Sequence, residues 1–181
     1  MGPLEGPLAL HSPSPAVQRV EAQARIPDPD EVDKLLQASA KLGRHGARDR
    51  TLIRIVYRHG LRVSELVARR WDQVDRKAGL LHVARLKNGL ASTHPIRGPE
   101  LRALRELKRD YPSSPYLFVS ELGGPMTPAT VRKLITRAGE RARLPFPIHP
   151  HMLRHYVSFL TMSSIFTWRR KQSQLASAWQ T

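Results

Sequence analysis

Apolar residues recur every three or four positions through most of the chain after residue 28, which is the spacing of one buried face of an α-helix. The first helix is predicted to begin at Asp28, an N-cap residue, with Pro29 in its first turn. Helices are predicted over residues 28–43, 48–60 and 64–71, the last of them from Ser64, and from Gly98 and Thr127 onward. The pattern therefore predicts a mainly helical domain.

The apolar period changes between residues 74 and 96. Residues 80–83 and 93–96 are predicted to be strands, and the Lys-Asn-Gly sequence at 87–89 is a strong signal for the turn of a β-hairpin. The predicted fold class is therefore α+β, mainly α, with one small antiparallel β-sheet.

Proline content and apolar runs suggest three parts of the chain. Five prolines within residues 1–27 predict an extended, disordered leader, and the folded domain is expected to span residues 28–156. The apolar run at 157–166 is diluted with Ser and Thr and is too short to span a bilayer, so no membrane partner is expected. The absence of cysteine excludes disulfides and thiolate metal sites and favours the reducing cytoplasm.

The chain is strongly basic, with 30 Lys and Arg against 15 Asp and Glu and a formal net charge of +15. Such a charge indicates a polyanionic partner, most commonly nucleic acid. A generic basic protein, such as a ribosomal component, is the alternative. An RNA-associated protein is less favoured because the chain lacks an aromatic-rich motif for stacking single strands.

Residues 149–156, with the sequence HPHMLRHY, contain a candidate phosphate site. Pro150 suits the first position of a helix, and His151 and Arg154 then project from the same side of its first turns. A helix N-terminus carries partial positive charge and free N–H donors, so an imidazole and a guanidinium beside it would bind a phosphate oxygen. The signal is weak alone, because a solvated helix shows the same spacing.

Other charged groups strengthen this interpretation. Arg62 lies at a junction between two predicted helices, Glu65 is close enough in sequence to orient it, and Lys87 lies at the predicted hairpin turn. A reaction through pentacoordinate phosphorus needs two guanidiniums, a neutral hydrogen-bonding group and a cation that protonates the leaving alkoxide. Together with His151 and Arg154, these residues supply the required types.

Three motifs now combine in one order: RHGLRVSEL at 58–66, RLKNGLASTHPIR at 85–97 and HPHMLRH at 149–155. They resemble the tyrosine recombinase, or phage integrase, family of site-specific DNA recombinases, and most of all the short recombinases that invert a fimbrial promoter switch. The resemblance covers residues 48–156 and implies the helical catalytic domain of that family over residues 28–156.

The resemblance also implies roles for the candidate residues. Arg62 and Arg154 would hold the scissile phosphate, and His151 would hydrogen-bond it. Lys87 would be the general acid for the 5′-hydroxyl, and Glu65 would support the first arginine. Further contacts with DNA are expected from Arg85, Arg132, Lys133 and Arg137.

The implied chemistry needs no metal or other cofactor. A zinc site at His149, His151 and His155 is disfavoured because no further ligand of suitable spacing is evident. The implied partner is double-stranded DNA, expected at an inverted repeat and bound by several copies of the chain or together with an intact relative. The implied location is the bacterial cytoplasm, at the nucleoid.

The sequence departs from the family pattern after Tyr156. The family continues through a Leu-Gly-His box to its nucleophilic tyrosine, whereas residues 157–181 contain neither. Tyr156 is a poor substitute, because two residues along a helix turn it about 200° away from Arg154. The chain is thus expected to be C-terminally truncated, with a divergent tail at 157–181, and catalytically inactive. Two functions stay open: a recombinase-type enzyme, and a non-catalytic DNA-binding protein that competes with or regulates an intact relative.

Overall fold

The computed structural model describes residues 25–83 and 92–154 of the chain. Within these residues, helices surround one small sheet. The helices are α1 (Pro29–Ser39), α2 (Gly46–His59), α3 (Val63–Val67), α4 (Gly98–Asp110) and α5 (Pro128–Arg141), with a 3₁₀ turn at Trp71–Gln73. The chain is helical again over 150–154. The strands are β1 (Val74–Asp75), β2 (Leu80–Val83) and β3 (Ser92–Pro95).

Helix α1 begins where the sequence predicts. The carboxylate of Asp28 accepts from the Glu31 amide at 2.8 Å, and the Glu31 carboxylate accepts from the Asp28 amide at 3.0 Å. The helix ends at Ser39 rather than near residue 43, and α2 starts at Gly46 rather than at residue 48. The connection folds back so closely that a side chain at Gly46 would overlap the backbone of Ala40.

Helix α2 ends at His59, because the next residue, Gly60, has a φ of 61°, the left-handed conformation that glycine tolerates. The next helix differs from the prediction: α3 starts at Val63, with Arg62 as its N-cap residue, and ends at Val67 instead of near residue 71. Glu65 explains the earlier start, because its carboxylate accepts from the Arg62 amide at 2.8 Å.

The sheet is antiparallel with the strand order β1-β2-β3. Leu80 pairs with Pro95 and Val83 with Ser92, so β3 lies one residue earlier than predicted. Strand β1 was not predicted, since two residues are too few to show a period. The predicted turn at 87–89 lies outside the described residues.

The core lies between the helices and one face of the sheet, and α1 packs on α5 while α2 packs on α4. Its largest fully buried side chains come mainly from the helices and β2, and they include Leu35, Leu52, Ile53, Leu66, Leu81, Leu104 and Ile135, with Phe118 from the segment after α4. The segment at 117–119 is also buried, and the Leu117 amide donates to the Arg69 oxygen at 2.8 Å. None of the described helices is long and apolar enough to cross a membrane.

Candidate functional site

Three segments that are distant in sequence line one open cavity of about 550 Å³. They are the start of α3, the start of α5 and the helical turn at 150–154. The lining residues are Leu61, Arg62, Val63, Ser64, Pro128, Arg132, His149, Pro150, His151 and Arg154. The structure thus brings together Arg62, His151 and Arg154, and it adds Arg132 to them.

Arg62 is held at the cavity by Glu65. The Arg62 Nη1 donates to Glu65 Oε1 at 3.1 Å, while the other carboxylate oxygen accepts from the Arg62 amide. The Arg62 side chain remains 43% exposed, whereas that of Glu65 is 3% exposed. A buried carboxylate therefore positions a guanidinium whose surface still faces the cavity.

Arg69 is hydrogen-bonded to the backbone of Glu65. This arginine is 2% exposed, and its Nε donates to the Glu65 backbone oxygen at 2.9 Å. Its Nη1 donates to the backbone oxygen of His82, in β2, at 2.8 Å. Burial lowers the pKa of Arg69, and the Glu65 charge opposes that effect. The guanidinium thus ties the helix that presents Arg62 to the sheet.

The turn that carries His151 and Arg154 is anchored by its apolar residues. Met152 and Leu153 are buried in the core, and His149 stacks on His151 with ring centroids 5.7 Å apart. Because Met152 and Leu153 face inward, the imidazole of His151 and the half-buried side chain of Arg154 lie on the cavity side.

A close crossing fixes where this turn lies. A β-carbon at Gly139, in α5, would overlap Cγ2 of Ile148 and lie 3.3 Å from its Cβ. Both residues are buried. Glycine therefore allows the chain just before His149 to pass directly over α5, the helix that carries Arg132.

The residues predicted to contact DNA differ in their position relative to the cavity. Arg132 lines the cavity, while Lys133 and Arg137 are exposed on α5 and are not among the cavity residues. Arg85 and the predicted general acid Lys87 lie outside the described residues. Within the described parts of the chain, no three His, Asp or Glu side chains group closely enough to hold a metal ion.

The chain is similar to known members of one protein family. The model of the phage integrase family matches residues 26–164. The chain belongs to this family. It is 37% identical over 134 residues to the type 1 fimbriae regulatory protein FimB of Escherichia coli strain K12, covering 71% of this chain and 66% of FimB. It is 34% identical over 161 residues to the tyrosine recombinase XerC of Xanthomonas axonopodis pv. citri, covering 84% of this chain and 52% of XerC.

A solved lambda integrase dimer bound to a COC′ core site has the same fold as this phage integrase family chain. The TM-score is 0.64 at 22% sequence identity, over 78% of this chain and 53% of that one. The resemblance to the fimbrial recombinases and the mainly helical α+β fold class are therefore confirmed. The chain spans between half and two thirds of the length of the relatives it matches.

Sequence reasoning missed two features of this family member's site. Arg132 was expected to contact DNA but not to lie beside Arg62 and His151, because only the crossing at Gly139 brings α5 there. Arg69 was not singled out at all. Its one sequence signal is its position four residues after Glu65, a spacing that places two side chains on the same helical face.

Proposed function

We propose that the cavity binds a phosphate of duplex DNA and that the chain is a DNA-binding protein of the recombinase type. The observation that carries this proposal is the meeting of Arg62, Arg132, His151 and Arg154 around one open cavity. A guanidinium presents N–H donors in a planar fork that matches phosphate oxygens.

The proposed roles are those that the family resemblance implies, and the shared cavity supports them for Arg62, His151 and Arg154. Arg62, oriented by Glu65, and Arg154, on the helical turn, would hold the two non-bridging oxygens of the phosphate. His151 would donate one hydrogen bond to the same group. Lys87 would protonate the departing 5′-hydroxyl. This division places fixed donors where charge develops at phosphorus, which is the usual source of rate enhancement in such reactions.

We further propose that the 181-residue chain binds DNA without cleaving it. A covalent intermediate needs a nucleophile, and residues 157–181 contain no tyrosine. Among the described tyrosines, Tyr57 is buried in the core, Tyr111 contacts His45 at 2.6 Å, and Tyr116 pairs with Arg70. None of these three lines the cavity.

The proposed partner is double-stranded DNA at an inverted repeat, occupied by several copies of the chain or by this chain beside an intact relative. The chain would act at the bacterial nucleoid. The inverted repeat is what the resemblance to the fimbrial-switch recombinases implies, and the solved lambda integrase dimer on its core site supports the oligomer. A chain that occupies the site without cutting it would compete with an active recombinase.

The proposal is tested with a duplex that carries a fimbrial-type inverted repeat and a nick near the expected cleavage position. Such a substrate traps a covalent protein–DNA complex whenever cleavage occurs. We expect retarded complexes on a native gel and no covalent complex on a denaturing gel. A covalent complex would show that the chain is an active recombinase, and an absence of any retarded complex would contradict DNA binding itself.

A further inference from the structure

A second concave site lies between α2 and α4, and it shares no residue with the cavity around Arg62. Its volume is about 430 Å³. Its lining is dominated by small and charged residues: Ala40, Ala47, Arg50, Thr51, Arg54, Pro99, Arg102, Ala103 and Glu106. A volume of this size is within the usual range of small-molecule sites, roughly 300–1,000 Å³.

Three guanidiniums converge on this second site. Arg50 and Arg54 are four residues apart on α2 and therefore share one face of that helix, and Arg102 faces them from α4. In the part of the chain that the structure describes, none of the three makes an ion pair or a hydrogen bond. The cationic groups of this site are therefore available to a bound anion.

The electrostatics of Arg54 point the same way. This side chain is half-buried, and burial together with the charges of Arg50 and Arg58 lowers its pKa, although Glu100 and Asp33 oppose the shift. Like charges at this helical spacing destabilise a helix. Glu106 lines the same site without forming an ion pair with any of the arginines. An anion between the arginines would remove this repulsion.

We infer that this site binds a compact anion with several phosphate oxygens, such as a pyrophosphate group. Three planar forks suit a ligand that offers many oxygens, which a single carboxylate does not. Alanines at 40, 47 and 103 leave room between the arginines, and the lining contains no aromatic ring on which a base would stack. Recognition is therefore directed at the phosphates, whether they belong to a free polyphosphate or to a DNA backbone.

The inference does not depend on the proposed function of the cavity around Arg62. Calorimetric titration of the full chain with pyrophosphate tests it, in a background that carries Arg62→Gln to weaken the other cavity. We expect binding in that background and a loss of at least about tenfold in affinity on adding Arg54→Gln, since one charge-assisted hydrogen bond contributes about 1.5–3 kcal/mol. Arg102→Gln, at an exposed position, should weaken binding in the same direction and guards against misfolding of the Arg54 variant.

The matched control is Arg109→Gln, because Arg109 is exposed on α4 but does not line the site. It should leave the affinity for pyrophosphate unchanged. Binding to a short duplex of arbitrary sequence separates the two phosphate sources. If the site binds the DNA backbone, Arg54→Gln should weaken duplex binding as well. If the site binds a free polyphosphate, Arg54→Gln should leave duplex binding unchanged. Equal pyrophosphate affinity in all variants, or no binding at all in the Arg62→Gln background, would overturn the inference.

Discussion

The guanidinium of Arg69 is bonded at 2.9 Å to the backbone oxygen of Glu65, the residue whose carboxylate holds Arg62. The same guanidinium reaches strand β2 through the oxygen of His82. The position of a cavity-lining arginine thus depends on a second arginine that never reaches the cavity. This dependence yields the first prediction.

Replacing Arg69 with Met should lower the free energy of unfolding by about 1–3 kcal/mol, because the buried Glu65 oxygen loses its donor and the part-buried His82 oxygen loses its bond to the guanidinium. Arg69→Lys should retain part of that energy through its single ammonium. Urea unfolding followed by circular dichroism measures the difference. Arg76→Met is the control, since Arg76 is exposed; equal losses for the two Met variants would contradict the role of Arg69.

Arg132 should contribute to DNA binding independently of sequence, because it would contact the backbone rather than a base edge. Arg132→Ala should weaken binding to an inverted repeat and to a scrambled duplex alike. The slope of log affinity against log salt should become shallower by about one unit. Fluorescence anisotropy between about 50 and 200 mM salt measures it. Lys34→Ala, an exposed change on α1, should leave the slope unaltered. A loss confined to the inverted repeat would instead indicate base readout.

Gly139→Ala should destabilise the chain by about 1–3 kcal/mol, because the new methyl group overlaps Ile148. Ile148→Ala removes the overlapping carbon but leaves a cavity that costs about 2–5 kcal/mol. The double variant should therefore lose less stability than the two single losses added together. A double-mutant cycle from urea unfolding gives the coupling energy. Strict additivity would show that the two side chains do not meet.

The pH dependence of stability should change at Glu100. Burial acts to raise the pKa of this carboxyl, but His59, the Arg97 amide and Arg58 outweigh burial and hold the pKa below the usual 4.5. The Arg97 amide donates at 2.9 Å, while the His59 Nε2 lies 3.2 Å from the other oxygen in an orientation that is poor for a hydrogen bond. Glu100 therefore contributes stability above pH 4.5 that is lost as the pH falls through its folded value.

Glu100→Gln should accordingly flatten the loss of stability on acidification from about pH 6 to about pH 3. Asp49 provides a control of opposite sign. Burial raises its pKa above 3.8 despite the Arg48 charge, so its contribution is present at low pH and is lost as the pH rises. Asp49→Asn should thus steepen the acid loss. Parallel curves for both variants and the unmodified chain would contradict these assignments.

Helix starts and ends that depend on contacts between neighbouring residues were predicted well from the sequence. The cap at Asp28, the stop at Gly60 and the helical start at Pro150 all follow from local hydrogen bonding and backbone conformation. Predictions failed where distant segments decide the outcome. The short helix ends at Val67 instead of near residue 71, and just after it the Arg69 oxygen and the Trp71 amide bond to the distant segment at 115–117.

The candidate site shows the same division. The motifs pointed to Arg62, His151 and Arg154, and the cavity contains all three. The motifs did not predict that Arg132 lies beside these three residues. Its position depends on the close packing of Ile148 against Gly139, where a side chain would overlap Ile148. The burial of Arg69 was equally hidden, because it requires an acceptor from the sheet.

The cavity around Arg62 is built from residues 61–64, 128–132 and 149–154, so it does not exist in a partly folded chain. Any phosphate that binds there must therefore favour the folded state through mass action. Free ligand at one hundred times its dissociation constant would add about 2.7 kcal/mol to the free energy of unfolding. DNA would then be a folding partner of this chain as well as its target, and a molecule on DNA would resist proteolysis longer than one free in solution.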